Sequence, residues 1–315
     1  MSKVCPLSTN ANCTVETCPL SCAQVEYLPT LAGNAVYAAA FGLLLIAQIG
    51  LGIRYKTWGF MAGMICGLVL EVVGYAGRIM LHNNPFDFNN FIIYLVPLTT
   101  APAFLAGALY LCLSRIIIVH GQHISRFSPR TYAITFMTSD FISLVLQGAG
   151  GGIAATANTH SGRETGRAMM VAGVVFQVVS LLVFMLLWLE FVFRLRKTTE
   201  DNKGGSRFAE LRSTKKFFLF QWALGGAVLL VFIRSVYRVA ELQQGFNGPI
   251  ANDEVSFMIL EGPMIFLAIL AVTVLHPGIG FDGQWSSAAW SVKHSRKAAF
   301  EMSSSSMEEI QGNHA

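Results

Sequence analysis

Seven runs of apolar residues, each close to the length of a membrane-crossing helix, set the terms on which this chain folds. They fall at about 34–53, 58–81, 91–114, 132–154, 168–193, 217–240 and 255–275. A helix rises about 1.5 Å per residue and the hydrocarbon core of a bilayer is about 30 Å thick, so about 20 apolar residues cross it. Seven such helices use most of the 315 residues and leave no room for a large soluble domain. Only 13% of the residues are charged, against about 25% in an ordinary soluble domain. The expected fold is therefore an all-α membrane protein: a seven-transmembrane-helix bundle over 34–278, with a tail at 1–33 and another at 279–315.

The basic residues give this bundle a direction. Sixteen lie in alternate loops and the final tail, eight of them between Arg194 and Lys216. Only Lys3, Arg163 and Arg167 lie on the other side, and Arg78, Arg234 and Arg238 fall inside the runs. Because cytoplasmic loops retain Lys and Arg, the N-terminus is expected outside and the C-terminus in the cytosol. The basic 194–216 loop then reads as cytosolic charge rather than a nucleic-acid site.

Residues 1–33 are polar and carry Cys5, Cys13, Cys18 and Cys22, so no cleavable signal peptide is expected there. Four cysteines in an oxidising compartment predict two disulfides, with three connectivities open. No histidine accompanies them and no C-x-x-C pair occurs, which argues against zinc. Asn12-Cys13-Thr14 is a glycosylation sequon, so Asn12 is the candidate acceptor if this tail is luminal or extracellular. At the other end, Phe281, Trp285, Ala289 and Val292, followed by Lys293, Arg296 and Lys297, have the spacing of a short amphipathic segment on the inner leaflet. Ser303 to Ser306 and the acidic end read as a disordered tail.

Charge inside the apolar runs is the informative exception. An ionisable side chain costs about 2.5 to 3.5 kcal/mol at the centre of an inserted helix, so each one retained there implies a polar interior or a functional role. Arg234, Arg238 and Glu241 share one face of the sixth run, and Glu254 and Glu261 stand seven residues apart at the start of the seventh. In the second run Gly59, Gly63 and Gly67 form a small-residue face that Glu71, Tyr75 and Arg78 continue. The fourth carries Asp140 and Gln147 ahead of Gly148 to Gly152, and the fifth is marked by Gln177. Pro97 and Pro102 predict a kink in the third. By helical rise, most of the ionisable residues fall in the outer half, where three arginines and four glutamates predict a near-neutral polar pocket. The pairing expected there is Arg234 and Arg238 with Glu71 and Glu261.

These residues also carry a resemblance. Glu71-x-x-Gly74-Tyr75-x-x-Arg78, Ala101 to Arg115, Asp140 through Gln147 to Gly152, Gly173-x-x-x-Gln177, Arg234-x-x-Tyr237-Arg238-x-x-Glu241, Gly245-x-x-Gly248, Glu254, Glu261 and His276-Pro277-Gly278 together resemble the fungal lipid-translocating exporters. Those seven-helix proteins are linked to 7-aminocholesterol resistance and to export of sphingoid long-chain bases. The resemblance, over about Tyr37 to Gly280, implies a plasma-membrane or endomembrane protein acting on amphipathic lipids. It adds Tyr237 to the candidate binding or coupling residues.

The leading expectation is a transporter or translocase for lipid-like amphiphiles such as sphingoid bases or sterol-like toxic compounds, with membrane lipids or amphiphilic small molecules as its partners. The alternative is a seven-helix lipid sensor or receptor. No G-x-x-x-x-G-K-[ST] phosphate loop occurs, so the chain cannot hydrolyse ATP by itself. The seventh run has no lysine for a retinal Schiff base. His82, His160 and His276 sit at helix borders and supply no hydrolase zinc site. Neither catalysis, nor a cofactor, nor a metal, nor nucleic acid is expected.

Overall fold

The computed structural model of the protein describes residues 18–20, 23, 25–157, 159–198, 208–244, 248 and 250–288. Among them every regular element is a helix and there is no strand. The order is α1 (Leu31–Tyr55), α2 (Trp58–Asn83), α3 (Phe88–His120), α4 (Pro129–Thr156), α5 (His160–Lys197), α6 (Ala209–Ser213), α7 (Lys215–Gln244), α8 (Glu254–Leu260), α9 (Gly262–Val274) and α10 (Pro277–Gly280). Six stretches are long and apolar enough to cross a membrane: α1, α2, α3, residues 161–197 of α5, α7, and 254–280 containing α8 to α10. The fourth helix is also 28 residues long. Thr131, Asp140, Ser143, Gln147 and its glycines dilute its apolar character.

Local chemistry places the helix ends. Asp87 caps α3 by accepting from the Asn89 amide at 2.9 Å, and Ser128 caps α4 just ahead of Pro129 at the first helical position. Thr159 and Asp253 do the same for α5 and α8. Each oxygen satisfies one of the amides that the first turn leaves without a partner. Long helices joined by short turns run up and down, so the starts of α1, α3, α5 and α8 share one end of the bundle with the finishes of α2, α4 and α7. We term this the amino end, and the opposite one the carboxy end.

The helix α3 is the centre: 78% of its most apolar stretch is buried, against 22% for α1. Its widest contact is with α2, through the glycine face expected from the sequence, which Gly74 and Gly77 extend. A Cβ on Gly77 would lie 2.6 Å from the Tyr94 amide nitrogen, which is backbone and cannot move aside. Gly77→Val is accordingly expected to destabilise the protein by about 1 to 3 kcal/mol, toward the upper end because the obstacle is backbone. Gly42→Val, at a glycine with open space around its Cβ position, should leave thermal unfolding in detergent unchanged. Equal loss in both variants would contradict this packing.

At the carboxy end the first part of the segment with amphipathic spacing packs on the bundle. Residues 281–288 turn back into the bundle, where Phe281, Trp285 and Ala288 are buried. Phe281 meets Phe217 at 5.3 Å and Phe220 at 5.7 Å between ring centres, while the Arg115 guanidinium stacks on Trp285 at 3.8 Å and donates to its carbonyl. Buried packing therefore continues past residue 278, as far as Ala288 among the described residues. The physical reason is that Trp285 finds a ring-lined slot and a cation within the bundle, which a lipid surface does not supply. Ala289, Val292 and the serine-rich end lie outside the described residues. At the opposite terminus Cys18 is buried and disulfide-bonded, and Cys66 and Cys112 carry free thiols. Asn12, Cys5, Cys13 and Cys22 lie outside the described residues.

Candidate functional site

Six charged side chains meet where α2, α3, α7 and the junction of α8 with α9 converge: Glu71, Arg78, Arg234, Arg238, Glu241 and Glu261, each 3% exposed or less. At about 1.5 Å per residue, Glu71 lies about 18 Å from the amino end, Arg234 about 15 Å and Glu261 about 10 Å. Helical periodicity puts them on inward faces: Glu71, Gly74, Tyr75 and Arg78 of α2, and Arg234, Tyr237, Arg238 and Glu241 of α7, are all buried.

A proline inside continuous α3 and a break between α8 and α9 shape this place. Pro102 has no amide hydrogen, so the carbonyl of Leu98, four residues earlier, loses its helical donor. The Arg234 guanidinium supplies one, donating to the Leu98 carbonyl and to a Glu261 oxygen through the same nitrogen. Glu261 itself stands at the break between α8 and α9, ahead of Pro263. There the Met258 carbonyl accepts from the Tyr37 hydroxyl at 2.9 Å. A Cβ on Gly262 would meet the Tyr37 ring at 2.7 Å and the Tyr75 hydroxyl at 2.8 Å, so only glycine lets those phenols reach the break. Freed backbone carbonyls are tolerated at membrane depth when neighbouring side chains satisfy them.

The pairing differs in part from the one expected. Arg234 does bind Glu261, but Arg238 pairs with Glu241 three residues on along its own helix. Glu71 makes no hydrogen bond or ion pair among the described residues, and its Oε1 is wholly buried. The charges acting on it are Arg234, then Glu261 and Arg238. The second Glu261 oxygen and the hydroxyls of Tyr75 and Tyr237 are also buried without partners. A carboxylate buried alone carries a desolvation cost of several kcal/mol, which a cationic group beside it offsets.

Arg78 is held differently. No carboxylate lies within ion-pairing range among the described residues. Its Nε donates to Asn34 Oδ1 and its Nη2 to the Tyr27 hydroxyl, both at 2.9 Å, and Nη1 has no partner. Aromatic rings of Phe257, Tyr94 and Tyr27 surround it at 3.8, 5.1 and 5.7 Å. Burial raises the Tyr27 phenol above its ordinary value, the nearby Arg78 only partly opposing this, so the hydroxyl stays protonated at neutral pH.

The remaining candidates do not join this cluster. Asp140 faces the Tyr110 hydroxyl without well-formed hydrogen-bond geometry, so that both are buried and unsatisfied. Gln147 donates to Gln177 at 3.1 Å and to Ser143 at 2.9 Å, a ladder that ties α4 to α5. Glu254 sits at the rim, where it accepts from the Thr30 amide at 2.5 Å. Sequence reasoning missed Tyr27, Asn34, Tyr37, Tyr94, Phe257 and the Leu98 carbonyl. The Gly262-Pro263 pair beside a buried glutamate was the available signal for the break; nothing local marks Tyr27 or Asn34 as neighbours of Arg78.

Two turns toward the carboxy end, an apolar cavity of about 10 Å³ lies between Met64, Leu105, Ala227, Val231, Ala268 and Val272. That volume is close to a single water. The charged groups are thus packed against one another and against rings, above a nearly closed apolar core. Among the described residues no cluster of metal-ligating side chains occurs.

Comparison with known proteins places this arrangement among relatives. Residues 64–284 match the model of a family described as RTA1-like protein. The sphingoid long-chain base transporter RSB1 of Saccharomyces cerevisiae is 33% identical over 286 residues, 82% of this chain and 75% of that protein. Protein RTM1 of the same organism is 28% identical over 72% of each chain, and its protoporphyrin uptake protein 1 is 31% identical over 66% of this chain and 65% of that one. No solved structure matches the chain.

Proposed function

Since the chain belongs to the RTA1-like protein family, we propose that it is a translocase for lipid-like amphiphiles, with sphingoid long-chain bases as its leading substrate class and sterol-like compounds as a further one. Two of the relatives are named for transport or uptake, which favours this reading over a lipid sensor. In this reading α4 is the seventh span, the amino end faces outside and the carboxy end the cytosol, in line with the basic residues. Export across the plasma membrane is the proposed direction and place.

The observation that carries the proposal is the carboxyl group of Glu71, 1% exposed and without a hydrogen-bond or ion-pair partner among the described residues. A substrate ammonium supplies the hydrogen-bonding partner that Glu71 lacks, and the free oxygen of Glu261 and the Tyr75 and Tyr237 hydroxyls add further acceptors. The acyl chain stays among the apolar helix faces, so only the headgroup needs a polar place on its way across. The break at Glu261 supplies a point where one half-helix tilts against the other, as in transporters whose discontinuous helices meet at the substrate. Asp140, Gln147 and Gln177 support α4 and α5 rather than touch the headgroup.

The test is reconstitution of the purified protein into phosphatidylcholine vesicles with a labelled sphingoid base. Wild type is expected to move the base between leaflets, and Glu71→Gln, which keeps the shape and removes the charge, to do so at least tenfold more slowly at equal incorporation. A wild-type protein that moves no base in this assay contradicts the translocase reading. Equal rates in both proteins contradict the role of Glu71.

A further inference from the structure

Residues 25–30 cross the amino end of the bundle ahead of α1, and hydrogen bonds tie them to the helices on either side. The Glu26 amide donates to Asn252 Oδ1 at 2.8 Å, the Thr30 amide to Glu254 Oε1 at 2.5 Å, and His82 Nδ1 to the Pro29 carbonyl at 2.7 Å. Val25 and Pro29 are buried, whereas Leu28 and Thr30 are exposed. The strap therefore bridges the end of α2 to the turn before α8. From its middle, Tyr27 reaches down to Arg78.

Arg78 stands about five residues, or about 8 Å, below the amino end of α2, between the strap and the deeper charges. A headgroup leaving Glu71 toward that end meets Arg78 first and the strap second. Its attachments there are to neutral oxygens, a carboxamide and a phenol, rather than to a carboxylate. A neutral hydroxyl acceptor exchanges for another without the cost of breaking a buried ion pair. The unpartnered Nη1 offers a second donor, and the rings of Tyr94 and Phe257 keep the guanidinium in place.

We propose that residues 25–30 are the outer gate of the translocation path, and that the Tyr27 phenol holds the place on Arg78 that a headgroup hydroxyl takes when the gate lifts. This rests on the translocase reading for its substrate, an amphiphile bearing both an ammonium and a hydroxyl. The ammonium belongs to Glu71 and the hydroxyl to Arg78. The structure described here is the closed state, because every charge beneath the strap is covered.

The gate is tested by pinning it. In Glu26→Cys/Asn252→Cys, joined by a short cleavable bis-thiosulfonate and verified by mass spectrometry, movement of a labelled sphingoid base in phosphatidylcholine vesicles is expected to fall at least tenfold. Cleavage by reductant should restore it, with wild type carried through the same cycle as control. A cross-linked protein that transports at the wild-type rate overturns the gate while leaving the translocase reading intact. A second readout does not depend on transport: Phe257→Cys, beneath the strap, should react with a membrane-impermeant maleimide at least tenfold faster when Tyr27→Ala is added, and slower when the strap is pinned. Reaction rates that ignore both changes overturn the gate whatever the transport assay gives.

Discussion

A chain ending at Gly280 is expected not to accumulate as a folded protein, whereas one ending at Ala288 keeps wild-type thermal stability. The reason is the burial of Phe281 and Trp285, 0% and 3% exposed, in a slot formed by Phe217, Phe220, Phe60 and Arg115. Removing a buried Phe or Trp side chain costs about 3 to 5 kcal/mol each, and membrane proteins like soluble ones have a net stability of only about 5 to 15 kcal/mol. Truncation also strips Arg115 of its stacking and hydrogen-bond partner and leaves its guanidinium facing an apolar void. Fluorescence-detected gel filtration of the two truncations separates the possibilities. Equal, monodisperse peaks with equal melting temperatures would show that residues 281–288 contribute nothing to the fold. The family match points the same way, since it continues to residue 284.

The second large effect is expected at Arg234. Arg234→Ala leaves Glu261 as an uncompensated buried carboxylate, which costs about 3 to 5 kcal/mol for a broken buried pair. It also leaves the Leu98 carbonyl without the donor that Pro102 denied it, a further loss of about 1 to 3 kcal/mol. Glu261→Gln keeps a hydrogen-bond acceptor for the guanidinium and should cost less. In Arg234→Ala/Glu261→Gln the carboxylate is gone, so the double variant is expected to be more stable than Arg234→Ala alone by about 2 kcal/mol or more, a coupling that contacting partners show. Thermal unfolding of all four proteins measures it. Additive losses would mean that the two side chains act separately and that the cluster is not one unit. Arg234→Lys is a useful companion, because lysine keeps the charge but carries it on a flexible stem in place of the rigid, planar guanidinium.

Much of the fold was legible along the chain because the membrane imposes a local rule. A stretch that must satisfy its own backbone hydrogen bonds in hydrocarbon becomes a helix, so apolar length alone located α1, α2, α3, α5, α7 and the last span. Helical periodicity likewise assigned faces within one helix: Gly59, Gly63 and Gly67 against a neighbour, and Glu71, Tyr75 and Arg78 inward. Pro102 took a backbone donor out of continuous α3, and the Gly262-Pro263 pair marks the break in the last span. Dilution by Ser, Thr, Gln and Gly explains why α4 falls below the six others in apolar character while still being as long.

What only the tertiary structure decided was which neighbour each inward face meets. Arg234 binds a glutamate 27 residues away and a carbonyl 136 residues away, and no periodicity links them. Arg238 has Glu241 within reach along its own helix, so the nearer partner won and Glu71 was left without one. Arg78 found neutral oxygens and rings from four separate segments, through Tyr27, Asn34, Tyr94 and Phe257, in place of a carboxylate. Asp140, Gln147 and Gln177 share the polar character of the cluster, yet α4 packs on α5 and carries them elsewhere. Trp285 had the spacing of a surface segment, but a slot for its ring exists only once Phe60 of α2 and Arg115 of α3 stand side by side. Helix formation in a membrane is decided within about 20 residues, whereas the site is made of contacts between helices, and those depend on how all of their faces pack together.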